Sequence, residues 1–291
     1  MSINLPKTRA ETKGWISVQH SLSSASPRYF LLVPHDSSRL AFPDEVKKFF
    51  PKEVDLLKQV LEIKRDKGPK ALTDYIINHV PGGIAVSIEV ARGILDLNRR
   101  PEFALGTVIN PDISEDAKKI LLDIHESIIE SIEQLLAVLP ETAKMLCLHS
   151  MHTNLLPDVK AGFSKKELQA YILSRENGVG VGPETKVDII TGPKDEEDLA
   201  DLKMRDIFGT LFEKNCIPWA ENEPYAAERN IHKTTDYMIA RPGRVLVMDF
   251  PKRFLCKGSV SDKTLSMVNT EPDPAKIKKI GEIFVEALGE S

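Results

Sequence analysis

Cysteine is scarce in this chain: Cys147, Cys216 and Cys256 are odd in number and far apart. That excludes a disulfide framework and a Cys-x-x-Cys metal knuckle, and it fits a reducing compartment. No apolar run approaches the roughly 20 residues of a membrane span. Residues 1–26 carry Lys, Arg and Glu without the apolar core of a secretion signal. The expected location is therefore the cytoplasm, or the periplasm if a leader was removed from a mature chain. Charge of one sign is also lacking, since 39 Lys and Arg stand against 43 Asp and Glu for a formal net charge of -4. Neither nucleic acid nor an anionic membrane is an expected partner on that balance. There is no Gly-x-Ser-x-Gly nucleophile elbow, no internal repeat, and no Gly/Ser linker to divide the 291 residues. The loop 177–183 contains Gly-x-Gly, but Pro183 and a strand-like segment follow it where a dinucleotide site needs a helix.

What is present is an alternation of short apolar runs with longer amphipathic ones, the pattern of an α/β protein. Strands are expected at 29–33, 84–90, 145–148, 187–190 and 244–248, brief and rich in Val, Ile and Leu as strands buried on both faces are. The clearest helix is expected over 114–138, where Leu121, Ile124, Ile128, Ile132, Leu135 and Leu139 recur at steps of three and four and Pro140 stops the run. Further helices are expected at 44–63 and 71–79, and another after the acidic stretch 195–206, ending near Asn215. The domain division expected is a short N-terminal extension, 1–26, and a single α/β domain, 27–291.

Two strands end in histidine. The first is Tyr29-Phe-Leu-Leu-Val-Pro-His35, and the second is Met145-Leu-Cys-Leu-His149-Ser-Met-His152. In a parallel sheet both would deliver an imidazole to the same edge, where α/β enzymes keep their chemistry, and two converging imidazoles suggest a metal site. Side chains alternate along a strand, so His149 and His152 cannot both point inward from an unbroken one. His149, expected at the strand's last position, is the better ligand, and His152 the better pocket group. His20, His79 and His125 have structural readings. Cys147 would share a strand face with His149, but it sits in the apolar run, where a thiol serves as a small hydrophobe.

After the 84–90 strand comes Arg92-Gly-Ile-Leu-Asp96-Leu-Asn98-Arg99-Arg100. Arg99 could grip a carboxylate in bidentate fashion with Asn98 beside it; the alternative is a solvated arginine-rich loop balanced by Asp96.

Taken in order, these segments resemble the N-formylglutamate amidohydrolase family, zinc-dependent hydrolases related in fold to the metallocarboxypeptidases. Pro34-His35-Asp-Ser-Ser38 is similar to the family's early Pro-His loop, Leu72-Thr-Asp74 to its Thr-Asp pair, and Arg92 to Arg99 to its Arg-x-x-x-Asp-x-Asn-Arg signature. Leu148-His149-Ser-Met151 is similar to its His-Ser-Met segment, and Asn222-Glu-Pro-Tyr225 to its Asn-x-Pro-Tyr. Val247-Met-Asp249-Phe-Pro-Lys-Arg253 occupies the place of a Gln-Leu-Glu-Ile-x-Arg strand, with Asp249 where the family has its catalytic glutamate.

The resemblance implies a three-layer α/β sandwich of the zinc carboxypeptidase-like kind, with a central mixed, largely parallel sheet flanked by helices. It also implies a Zn²⁺ cofactor held by His35, His149 and a third ligand. The metallocarboxypeptidase His-x-x-Glu pair is absent, so the third ligand is expected to be Asp74, with Asp36 and Ser38 behind it. Asp249 would act as general base, and Arg99, Arg92, Asn98, His152, Asn222 and Tyr225 would bind substrate. The expected partner is a small acylated amino acid or a short peptide, and the sequence leaves oligomeric state open. Two other functions fit the same residues. One is a binding or regulatory relative that lost catalysis. The other is a peptidase or amidase acting on a cell-wall peptide, with Trp219 and Tyr225 lining a wider cleft.

Overall fold

The computed structural model describes residues 7–21, 26–151, 159–176, 186–193, 196–257 and 270–290. Among these residues seven strands form one mixed sheet in the order β1-β3-β2-β4-β7-β5-β6. They are β1 (Ile16–His20), β2 (Tyr29–Val33), β3 (Gly83–Ile88), β4 (Lys144–Met151), β5 (Val187–Ile190), β6 (Trp219–Glu221) and β7 (Val245–Pro251). The four central strands β3, β2, β4 and β7 run parallel. The outer strand β1 is antiparallel to β3, and the β5–β6 pair is antiparallel to β7. Every residue of β2 and β3 is buried, as expected for parallel strands covered on both faces.

The helices are α1 (Arg9–Thr12), α2 (Asp44–Lys47), α3 (Val54–Lys64), α4 (Pro69–His79), α5 (Glu115–Ala137), α6 (Lys165–Glu176), α7 (Leu202–Lys214), α8 (Lys233–Ala240) and α9 (Pro274–Glu290). The chain crosses from β2 to β3 in one direction along the sheet and from β3 to β4 in the other. Right-handed crossovers therefore place α4 and α5 on opposite faces. Contacts agree, for α5 packs with α1 and α2, whereas α4 packs with α9 and α9 with α7. This is a three-layer α/β sandwich, as expected. No helix among the described residues is long and apolar enough to cross a membrane.

The long helix α5 starts where Ser114 accepts the Ala117 N–H, a side-chain cap that satisfies an otherwise orphaned donor. The helix expected over 44–63 is broken into α2 and α3, because Pro51 cannot donate and disfavours helix at Phe50. Residues 7–21 are not an appendage. β1 pairs along its length with β3, and α1 packs on α5, so the expected boundary at residue 26 does not mark the start of the fold. β4 runs on to Met151, which puts His149 two residues inside the strand rather than at its end.

The topology decides where chemistry can sit. From β2 the chain leaves toward β3, and from β4 it proceeds toward β7 on the other side. The carboxyl ends of β2 and β4 thus flank the point where crossover direction reverses, where open α/β sheets bind ligands.

Candidate metal centre and cleft

His35 follows β2 by two residues and His149 lies in β4, and the two rings meet with centroids 5.1 Å apart. Between them comes Asp66, from the loop joining α3 to α4. One ligand atom from each of His35, Asp66 and His149 lies within 4.8 Å of the others, and all three residues are buried. Asp66 Oδ2 is 3.2 Å from His149 Nδ1 and 3.3 Å from His35 Nδ1. The His35 contact is not aligned as a hydrogen bond, so among the described residues that buried nitrogen has no hydrogen-bond partner; nor has His149 Nε2.

The Asp66 loop is fastened from three sides. Its own N–H donates to His35 O at 3.0 Å. The Lys252 ammonium, just beyond β7, donates to Arg65 O at 2.6 Å and reaches Ile63 O at 3.5 Å. Asp36 accepts from Arg65 Nε at 2.6 Å and from the N–H groups of Gly68 and Lys70 at 3.2 and 2.8 Å. Asp36 is thereby committed to the start of α4, and Ser38 donates to Glu62. The carboxylate brought to the histidines is Asp66 rather than Asp74. Asp74 sits in α4, outside this group, with a buried Oδ1 of its own. Nothing in Lys-Arg-Asp66-Lys-Gly-Pro distinguishes Asp66 as a site residue; only the fold does.

The arginine segment forms a wall beside this centre. Leu95 bridges Leu105, and Asp96 N–H donates to Ala104 O at 2.8 Å, closing residues 91–107 on themselves. The closure needs glycine at 106, where a Cβ would stand 1.7 Å from Gly93 O. From this wall Arg92 spans two carboxylates, with Asp66 Oδ1 at 3.2 Å and Asp96 Oδ2 at 3.3 Å. Asp96 Oδ1 meets His35 Nε2 at 2.8 Å. Arg92 is thus an organiser of the centre. Arg99 meets Asp96 only at 3.9 Å and lines the cavity. Its backbone carbonyl is held by His125 Nε2 at 2.9 Å, which accords with the structural reading of that histidine. Asn98 also lines the cavity, but its Oδ1 accepts the Thr234 N–H at the start of α8.

Opposite chemistry comes from β7 and β5. Asp249 is the register partner of His149 on one side and of Asp188 on the other. It lines the cavity with a buried Oδ1 that has no hydrogen-bond partner among the described residues. Asp188 accepts the N–H groups of Glu223 and Tyr225, both at 2.9 Å, and so holds Tyr225 at the cavity. Asn222 spends its amide on Thr191, accepting its N–H at 3.0 Å and donating to its Oγ1 at 2.8 Å. Contrary to expectation it does not line the cleft, and neither does Trp219, whose Nε1 donates to Glu213. His152 and the loop 177–183 lie outside the described residues.

Charge in the centre is polarised. Burial alone would raise the pKa of Asp66, but the Arg92 guanidinium and the two histidines outweigh it and hold the carboxyl well below its ordinary value. Burial lowers the pKa of His149 despite its hydrogen bond to Asp66, which favours the neutral imidazole that metals bind. Asp249 moves the other way, raised well above the usual range by burial and then by the charges of Asp66 and Asp188. The Cys147 thiol, wholly buried, is pushed up to about 12 by burial, so it offers no thiolate to act as a nucleophile.

No family model matches the sequence, and no curated protein matches it. Solved structures do match in fold. An N-formylglutamate amidohydrolase from Ralstonia eutropha JMP134 aligns with a TM-score of 0.60 at 12% identity, over 94% of this chain and 95% of that one. A gene product from Agrobacterium tumefaciens aligns with a TM-score of 0.54 at 15% identity, over 96% of each chain. The chain shares their fold, in keeping with the resemblance read from its motifs.

Proposed function

We propose that this protein is a zinc-dependent amidohydrolase that cleaves the amide bond of an N-acylated amino acid. The observation that carries the reading is the buried meeting of His35, Asp66 and His149 beside the cavity, with one nitrogen of each ring unpartnered among the described residues. Two imidazoles and one carboxylate are a donor set that suits zinc, whereas magnesium prefers an oxygen shell. Bound there, zinc would supply a Lewis acid that polarises the scissile carbonyl and lowers the pKa of water. The likeness in fold to an N-formylglutamate amidohydrolase supports the same class of reaction.

The protein's own groups divide the remaining work. Arg99, loosely paired to Asp96 and facing the cavity, binds the substrate carboxylate through its planar fork. Asp249, with a buried oxygen unpartnered among the described residues and a raised proton affinity, takes a proton from the attacking water and returns it to the leaving amine. The C–N bond breaks, the water oxygen joins the acyl carbon, and the amine leaves protonated. Arg92 and Asp96 keep His35 and Asp66 in place.

The decisive experiment measures metal content and amide hydrolysis together. The purified protein should carry close to one zinc per chain, and His35→Ala should lose it. Asp249→Asn should retain the metal while turnover falls by about 100- to 10,000-fold, the usual worth of a positioned base. Metal without hydrolysis of any N-acyl amino acid would leave a binding protein on a hydrolase fold; no metal at all would end the proposal.

A further inference from the structure

The cavity is larger than a formylated amino acid requires, and two exposed aromatic rings stand in its largely polar lining. Its volume is about 610 Å³. That lies within the ~300–1,000 Å³ of pockets that take drug-sized ligands, which are larger than a formylated amino acid. Exposed large apolar side chains scattered singly mean little. Here, however, Phe103 and Tyr225, 55% and 49% exposed, line the same cavity from different parts of the chain. Phe103 ends the short turn Pro101–Phe103 on the arginine-bearing wall. The backbone of Tyr225 is fixed by Asp188 while its ring stays half in solvent. Holding an aromatic in place yet uncovered pre-pays the ordering cost of binding something to it. Tyr171, Leu105 and Ile190 add further apolar lining.

We propose that the substrate carries a bulky aryl-type acyl group that packs on Phe103 and Tyr225 while its carboxylate sits at Arg99. A formyl group leaves both rings wet and much of the cavity filled with water. An arylacetyl group covers them and displaces that water, which is favourable because the apolar area leaves solvent. The inference rests on the amidohydrolase reading for its chemistry, but not for its binding.

The test compares N-formyl, N-acetyl and N-phenylacetyl derivatives of one amino acid on the zinc-loaded protein. The phenylacetyl compound should exceed the formyl one in kcat/KM by at least about tenfold, the discrimination that even one methylene commands in an apolar pocket. Phe103→Ala should shrink that ratio severalfold, chiefly through KM for the phenylacetyl compound. A formyl compound cleaved as well or better, or a ratio unmoved in Phe103→Ala, would overturn the inference and leave the hydrolase reading intact. Should nothing be cleaved, the hydrolase reading fails, and calorimetric binding of the same compounds decides this one. Phenylacetyl binding about tenfold tighter, and weakened by Phe103→Ala, would sustain it; equal binding would overturn it.

Discussion

His35 presents its Nε2 to Asp96 Oδ1 at 2.8 Å. Burial would raise the Asp96 carboxyl, but His35 and Arg92 overcome this and keep it ionised; an ionised carboxylate only accepts, so Nε2 is the donor of this pair and Nδ1 is the ring atom left on the Asp66 side. A carboxylate behind a ligating imidazole fixes its tautomer and orientation. Asp96→Ala should therefore weaken zinc affinity by about 10- to 100-fold, read by competition with a chelator of known affinity. Unchanged affinity would detach Asp96 from the metal centre.

The choice of third ligand is open to a direct contrast. Asp66 Oδ2 stands within 3.3 Å of both histidines, while Asp74 is outside the group. Asp66→Asn should abolish stoichiometric zinc and Asp74→Asn should not. Circular dichroism of both variants guards against loss of fold. Zinc retained by the first and lost by the second would restore Asp74 and discard the geometry argued here.

The difference between Asp66 and Asp74 shows where sequence reading reaches its limit. Strands at 29–33 and 187–190 are legible to the residue, the first because a strand buried on both faces is apolar without interruption, the second because Val and Ile outweigh its single Asp188. His35 and His149 are legible because each follows or ends such a run. β6, three residues long, is too short to leave a pattern. β1 does alternate, with Ile16 and Val18 separated by polar residues, but a polar N-terminal setting hides it. Asp66 belongs to a charged interhelical loop like many others. It becomes a site residue only because Lys252 and Asp36, remote in sequence, fasten that loop beneath two histidines. Asn222 errs in the opposite sense, since its motif is present but its amide is consumed by Thr191.

Lys252 provides a test of that fastening. Its ammonium is buried, 6% exposed, and donates to the carbonyl next to Asp66. Burial lowers its pKa to about 8, with Asp66 opposing the shift, so it is charged at neutral pH or below. Lys252→Met strips a charged donor from buried carbonyls and should cost about 1.5–3 kcal/mol of stability, measured by urea unfolding of metal-free protein. The folded variant should also bind zinc more weakly because the Asp66 loop loses its clamp. Reduced stability with undiminished affinity would confine Lys252 to a role in the fold.

The sign of a pH effect separates two forces on Asp188. Burial raises its pKa, the two N–H bonds from Tyr225 and Glu223 lower it, and burial prevails to give a value of about 6. An unfolded aspartate titrates near ~3.9. Between these values the native state binds more protons than the unfolded one, so stability falls as pH rises. The contribution is fully present below about pH 4 and is lost as pH rises through about 6. Asp249 acts in the same direction, since the Asp188 charge is one cause of its raised pKa. The unfolding free energy of wild type minus that of Asp188→Asn, taken on chelated protein, should therefore decline from pH 4 to pH 7. Any constant cost of turning an amide toward those N–H groups cancels from the trend. A difference that grew with pH over the same window would mean that the hydrogen bonds outweigh burial, and that Asp188 is an anion stabilised by the Tyr225 loop.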